Sequence, residues 1–424
     1  MTNPNWKWRP LGELFAIGAG KTMSEAARTG SDKVPFLRTS NVFWDQIDLS
    51  DVDEMAISPA ELAEKSLKPG DLLVCEGGEI GRAAIWDGQV SVMSFQNHLH
   101  RLRPLNEEAD ARFYVYFLQS AFTQLGIFAG AGNKTTIPNL SRNRLAALEV
   151  PFPPLGEQRA VADSLRAVRR ALSLHSEASA TADELKRATM RELFTRGLRG
   201  ETQRETEIGM LPESWSVRRL GDACTLSTGT TPSTKREDYY RGTIPFIKTA
   251  DIVNNRLRVA STHISEQARA DYNLTLYPAG TVLMAMYGQG KTRGQVALLE
   301  VAAATTQNAA AIAPKESIIV PSFLWHYLLS RYDDLRGMGS LGHLSHLNLG
   351  YLREFLVPTP SLQEQHDISI VLNAIDDKIN LHRRKSTMLE ELFSSLLHKL
   401  MTGEIRASSL ALSALTTTAP EAAA

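Results

Sequence analysis

Basic charge is scarce in this chain. Lys and Arg number 46 against 47 Asp and Glu, so the net charge over 424 residues is −1 at pH 7. A strongly basic, autonomous nucleic-acid binder is therefore excluded, because such proteins gain most of their affinity by neutralising phosphates. Any nucleic-acid surface must gather its cations locally or share charge with partners. Cysteine is almost absent: Cys75 and Cys224 lie in different segments without CxxC or His-partner spacing. They read as reduced thiols of a cytoplasmic protein, with neither a disulfide framework nor a zinc site. No charged-apolar-small leader opens the chain. The longest apolar stretch, Val296 to Ala313, is interrupted by Glu300, Gln307 and Asn308, so no membrane span is expected.

What the chain has is a second copy of itself. Trp8-Arg9-Pro10-Leu11-Gly12 returns as Trp215-Ser216-Val217-Arg218-Arg219-Leu220-Gly221. Val34-Pro35-Phe36-Leu37-Arg38-Thr39-Ser40-Asn41 returns as Ile244-Pro245-Phe246-Ile247-Lys248-Thr249-Ala250-Asp251. The turn Lys68-Pro69-Gly70 before Asp71-Leu72-Leu73 matches Tyr277-Pro278-Ala279-Gly280 before Thr281-Val282-Leu283, and Gln96-Asn97 matches Gln307-Asn308. Val150-Pro151-Phe152-Pro153-Pro154-Leu155-Gly156-Glu157-Gln158 matches Val357-Pro358-Thr359-Pro360-Ser361-Leu362-Gln363-Glu364-Gln365. The offset stays within about 206 to 213 residues throughout, far too long for a solenoid repeat. This is a pair of domains. Within each copy, short runs such as Pro35–Arg38, Leu72–Cys75 and Val282–Met286 indicate a strand-rich domain, with helices near Arg112–Leu125 and Ser322–Leu335.

Proline then vanishes from Gly156 to Gly200 and from Ser361 to Arg406, and the texture becomes helical. In the second segment Ile368, Leu372, Ile375, Ile379, His382, Ser386, Leu389, Phe393, Leu396 and Leu400 alternate spacings of four and three, a coiled-coil seam. Val161, Leu165, Val168 and Leu172 continue the same seam in the first, which then drifts through His175, Ser179, Ala182 and Lys186. Ser361-x-x-Glu364 reads as a capping box, and Gly197 and Gly403 as left-handed caps. Each segment makes a rod of about 65 Å at 1.5 Å per residue. Connectivity favours an antiparallel pair, since the first rod carries the chain from one domain to the other. His175 and His382, equivalent and central, are expected to approach each other near a pseudo-two-fold axis.

The expected fold is α+β: two strand-rich α/β domains joined by two long antiparallel coiled-coil helices. Its segments are residues 1–154, a helix over 155–200, a linker over 201–212, the second domain over 213–360, a helix over 361–406 and a disordered tail over 407–424.

Two variable domains, each closing in a Pro-Pro-Leu-x-Glu-Gln type segment and a long helix, resemble the specificity subunits of Type I restriction-modification enzymes. The residues are Pro153-Pro154-Leu155-Gly156-Glu157-Gln158 with Phe194-Thr195-Arg196-Gly197, and Pro360-Ser361-Leu362-Gln363-Glu364-Gln365 with Leu400-Met401-Thr402-Gly403. The resemblance covers nearly the whole chain. It implies two target-recognition domains, each reading one half of a split, asymmetric site on double-stranded DNA. The helices would set the half-site spacing and dock two methyltransferase subunits, to which restriction subunits add. It implies a non-catalytic subunit that binds no cofactor, with S-adenosylmethionine, ATP and Mg used by the partners.

Base readout in the major groove needs Arg, Lys, Asn, Gln or carboxylate side chains. Three regions per copy offer these. The first gives Arg38, Thr39 and Asn41, with Lys248, Thr249 and Asp251 opposite. The second, a glycine loop, gives Arg82 in copy one and Tyr287, Lys291 and Arg293 in copy two. The third gives Lys134, with Gly337 to His346, including His343, opposite. The recurrence of Gln96-Asn97 as Gln307-Asn308 argues for a shared structural role.

Two other readings compete: a coiled-coil adaptor for proteins, and a nucleotide-dependent enzyme using the Lys291 loop. Gly288-Gln289-Gly290-Lys291-Thr292 imitates a P-loop ending, but Ala285 stands where its first glycine belongs and a strand-like Gln295–Leu299 follows. No Asn/Asp-Pro-Pro-Tyr/Phe methyltransferase segment is present, and no His cluster has metal spacing.

Overall fold

The computed structural model describes residues 6–126, 140–288, 291–338 and 347–410. The chain divides into two compact units: Met1–Ser176 with Arg384–Ala424, and Glu177–Arg383.

In the first unit, Phe15–Ala19, Leu99–Pro104, Asp71–Cys75 and Ala83–Trp86 form an antiparallel sheet in that order. Its centre is the uninterrupted apolar run Leu72-Leu73-Val74, buried on both faces. Asp71 opens that strand almost fully buried. Its carboxylate accepts from Arg103 at 2.7 and 2.6 Å and from the Lys68 backbone N–H at 2.7 Å, so the buried charge is satisfied. The preceding turn places Gly70 at φ +91°, a left-handed conformation that favours glycine. A smaller sheet orders Asp53–Ala56, Lys33–Leu37 and Ser94–Phe95, and Lys7–Pro10 pairs with Glu149–Phe152. The helix Ala111–Thr123 is capped by Asp110, whose carboxylate accepts from the Arg112 and Phe113 N–H groups. It buries Phe113, Tyr114, Tyr116 and Phe117 against the larger sheet.

The second unit repeats this plan. Cys224–Thr228, Ala309–Pro314, Val282–Ala285 and Val296–Leu299 keep the same order, with Asn255–Leu257 added in parallel at the edge. Thr262–Ile264, Ile244–Ile247 and Ala304–Thr305 form the smaller sheet, and Ser216–Arg219 pairs with Leu356–Thr359. Even the turn glycine recurs, Gly280 at φ +90°. Both cysteines lie buried on strands, where burial pushes the thiols up to about 11 at Cys75 and about 12 at Cys224.

The long helices run Leu155–Arg196 and Leu362–Thr402 and are packed together. They are not free-standing rods. The unit boundary falls inside each, so every half-helix belongs to a domain core. In the first unit Val161, Leu165, Val168 and Leu172 share a core with Leu389, Phe393, Leu396 and Leu400. In the second, Met190, Leu193 and Phe194 share one with Ile368 and Leu372. Ile379 is buried and Ile375 half-buried. There Asp183 meets Arg383 at 2.7 Å, Lys186 meets Asp376 at 2.6 Å, and the Leu198 N–H meets Glu364 at 3.1 Å. Partner numbers fall as helix numbers rise, which makes the packing antiparallel. Gly197 and Gly403 end the helices at φ +63° and +76°. His175 and His382 are each half-buried on their own helices, in different units.

Three expectations change. The stretch 201–212 is not a plain linker: Gln203–Thr206 and Gly209–Pro212 form an antiparallel hairpin. The tail begins ordered, with a short turn over Ala407–Ser409 that buries Ala407; residues 411–424 lie outside the described residues. The capping box is half made. Ser361 Oγ accepts from the Glu364 N–H at 3.3 Å, but the Glu364 carboxylate accepts from the Leu198 N–H and, at 3.3 Å, from the Trp215 indole.

Candidate nucleic-acid interface

The turns after Lys33–Leu37 and Ile244–Ile247 carry the first group of expected readers, and the two copies use them differently. In copy one, Asn41 is 3% exposed. Its Oδ1 accepts from the Arg38 N–H at 2.9 Å, and its amide hydrogens go to the Asp48 and Asp51 carbonyls at 3.1 and 2.8 Å. Both donors are spent, so Asn41 closes the turn and cannot grip adenine through its amide. Arg38 is divided between Asp51 at 3.1 Å and Asp53 at 2.9 Å. Thr39 gives its carbonyl to Arg82 Nη2 at 2.9 Å, while Arg82 stacks 4.8 Å from the centre of the Phe43 ring. Arg82 is thus a brace between the glycine loop and the turn.

In copy two Asp251 repeats the cap, accepting from the Lys248 N–H at 2.8 Å and from the Ser261 hydroxyl at 2.8 Å. The Lys248 side chain is exposed and has no hydrogen-bond or ion-pair partner among the described residues; Thr249 beside it is half-exposed. Further on, Tyr287 and Lys291 are also exposed. Arg293 instead turns inward and donates to the Arg336 carbonyl at 3.0 Å. Copy two therefore brings Lys248, Tyr287 and Lys291 to its surface, whereas Arg38, Asn41 and Arg82 are engaged within copy one. Lys134 and His343 lie outside the described residues. The chain after the Lys291 loop enters Val296–Leu299, which pairs antiparallel with Val282–Ala285. A phosphate-cradling loop must instead open a helix, so the loop lacks the geometry of a nucleotide site.

Sequence reasoning missed the joint between domain and helix. Gln158 and Gln365 are both fully buried. Gln158 Oε1 accepts from the Asp110 N–H at 2.8 Å, and its Nε2 donates to the Glu108 and Pro153 carbonyls at 3.0 and 2.9 Å. Gln365 Oε1 accepts from the Val320 N–H at 2.8 Å, and its Nε2 donates to the Ile318 and Pro360 carbonyls, both at 3.0 Å. Each glutamine thus pins the start of its long helix to the start of a domain helix, Ala111–Thr123 or Pro321–Ser330. The repeated Glu-Gln pair was the visible signal for this.

Those two joints sit inside the part of the chain that matches a family model. Residues 3–182 and 212–391 each match the Type I restriction modification DNA specificity domain. The chain belongs to the Type I restriction-modification DNA specificity family. Over 206 residues, 47% of each chain, it is 31% identical to the type I restriction enzyme MjaIX specificity subunit of Methanocaldococcus jannaschii. The MjaVIII specificity subunit of the same organism is 22% identical over 347 residues, 80% of each chain. In fold, the chain is similar to the Type I restriction-modification S subunit from M. genitalium, with TM-score 0.63, 19% identity, and coverage of 94% of this chain and 97% of that one. Its role is DNA recognition within a Type I system. No described helix is long and apolar enough to cross a membrane.

A second missed feature is a polar cluster in the second unit. Lys186 and Asp376 pair while both are about nine-tenths buried, and Lys186 lies 5.1 Å from the centre of the Trp325 ring. Beside them His326 Nε2 contacts Asn373 Oδ1 at 2.9 Å, and Asn373 also accepts from Arg256. Burial first, then the nearby Lys186 charge, pushes the His326 pKa down to about 3. The matching helix position in copy one is Arg169, which donates to the Trp44 carbonyl at 2.7 Å and to Gln119 at 3.0 Å. Each specificity domain therefore fastens to its helices through one shared joint and one cluster peculiar to itself.

Proposed function

We propose that this chain reads a bipartite, asymmetric site on double-stranded DNA, one half per domain, and carries two methyltransferase subunits on its helices. The observation that carries this is the repeated architecture with unlike surfaces. The joints at Gln158 and Gln365 are the same, while equivalent turns present an engaged Arg38 in one copy and an exposed Lys248 in the other. Like scaffolds with unlike reading faces select two different half-sites; two copies of one domain would select a palindrome.

Exposed leucines on the helices support two equivalent docking places. Leu174 and Leu392 stand out in the first unit, and their repeat counterparts Leu381 and Leu185 in the second. Apolar side chains repeated on a solvated helix face are the material of a protein interface. The chain acts in the cytoplasm without catalysing a reaction. Methyltransferase and restriction partners bring S-adenosylmethionine, ATP and Mg.

The test is methylation of a randomised DNA library by the complex of this chain with its methyltransferase. One enriched motif with two different halves is expected, and a library with no enriched motif refutes the proposal. Leu174→Glu with Leu381→Glu should release methyltransferase without lowering the melting temperature of the free chain.

A further inference from the structure

In copy one Arg38, Asn41 and Arg82 are engaged within the domain, while other polar side chains nearby are not. An open groove of about 360 Å³ borders its smaller sheet. Phe36 and Met23 form apolar lining, and Arg28, Arg38, Asp53 and Gln96 surround it. Glu54 borders it as well. Arg28 sits on the short helix Glu25–Thr29, exposed, and its side chain has no hydrogen-bond or ion-pair partner among the described residues. Gln96 is held differently. Its N–H donates to the Leu37 carbonyl at 2.9 Å and its carbonyl accepts from the Leu99 N–H at 2.9 Å, so its backbone is fixed between two strands. Its side-chain amide has no partner among the described residues, and it lines the groove.

We infer that Arg28 and Gln96 read base edges in the half-site of the first domain. This rests on the DNA-reading function proposed above. An arginine suits guanine and a glutamine suits adenine, each through two parallel hydrogen bonds. A pinned backbone beneath an unspent amide is the preorganisation that readout requires. Asp53 is paired with Arg38, and the Glu54 carboxylate at the border disfavours phosphate, so the groove suits base edges better than the sugar-phosphate backbone. Copy two repeats the glutamine as Gln307, while the offset of about 210 residues sets Asp238 opposite Arg28. There Gln307 Oε1 accepts from the Thr231 hydroxyl, which leaves the same scaffold with a different hydrogen-bonding face.

The experiment compares the methyltransferase complexes of the wild-type chain, Arg28→Ala and Gln96→Ala on the same DNA library, with melting curves as the folding check. Each substitution is expected to relax one base position in one half-site, with discrimination falling on the order of ten-fold or more, while the other half stays intact. If both variants keep the wild-type motif and its discrimination, the assignment is overturned. If Arg28→Ala weakens binding equally on all sequences and flattens the salt dependence, Arg28 is a phosphate contact and its part falls. A wild-type complex that selects no motif sinks the proposed function and this inference with it. A wild-type motif that survives both substitutions sinks the inference alone.

Discussion

Gln365→Ala isolates the joint between domain and helix. The wild-type amide is fully buried and satisfies three backbone groups: the Val320 N–H and the Ile318 and Pro360 carbonyls. Alanine leaves all three without that partner. A buried polar group stripped of its partner costs about 1–3 kcal/mol, and carbonyls tolerate it better than an N–H. The loss should therefore be about 2–5 kcal/mol. For a unit of 150–250 residues, 1 kcal/mol moves the midpoint by about 2–4 °C, so unfolding of the second unit should shift down by roughly 5–20 °C. Gln158 makes the same set of bonds in the first unit, so Gln158→Ala is its internal twin. Calorimetry or denaturant titration of both variants should give losses that agree within about 1 kcal/mol. A shift below about 2 °C for either variant, or grossly unequal losses, would refute the view that these joints are equivalent and structural.

Three more outcomes follow from the second unit. Asp376→Ala should cost about 3–5 kcal/mol by stranding the buried Lys186 ammonium, while Asp376→Leu with Lys186→Met should recover most of it, as a double-mutant cycle in urea would show. The His326 pKa is depressed to about 3 in the folded protein, so the unfolded chain binds the extra proton below about pH 6.5. Its effect is nil above that value and removes up to about 1.4 kcal/mol per pH unit as pH falls toward 3; His326→Asn should flatten that slope in acid-denaturation curves. Gly229→Ala would bring a Cβ to 1.7 Å from the Thr305 carbonyl oxygen, so the strand must move and the variant should lose at least about 2 kcal/mol in thermal melting.

The duplication, both long helices and their glycine caps were legible because each leaves a local mark: an offset, a heptad, a proline gap, a terminal glycine. The capping box was legible only by half, since Glu364 answers to Trp215, 149 residues away. Reader residues were harder still. Arg38, Asn41 and Arg82 have the right chemistry for DNA and sit beside turns, yet carboxylates and carbonyls of neighbouring turns and of the Asp53–Ala56 strand engage them. Residue type says what a side chain can bond; only the fold says what it has already bonded. Gln96 shows the converse. Its repetition pointed to a structural role, which its backbone fulfils, while its amide stays unspent.

The glutamine joint has a consequence for how such chains change over time. Every bond that Gln158 or Gln365 makes ends on a backbone atom, so the joint asks nothing of side-chain identity in the domain beyond it. A foreign domain whose helix equivalent to Ala111–Thr123 starts at the same height would find the same socket. Under the function proposed above, new half-site preferences are acquired by exchanging a whole reading module, with spacing and partner docking inherited unchanged from the helices.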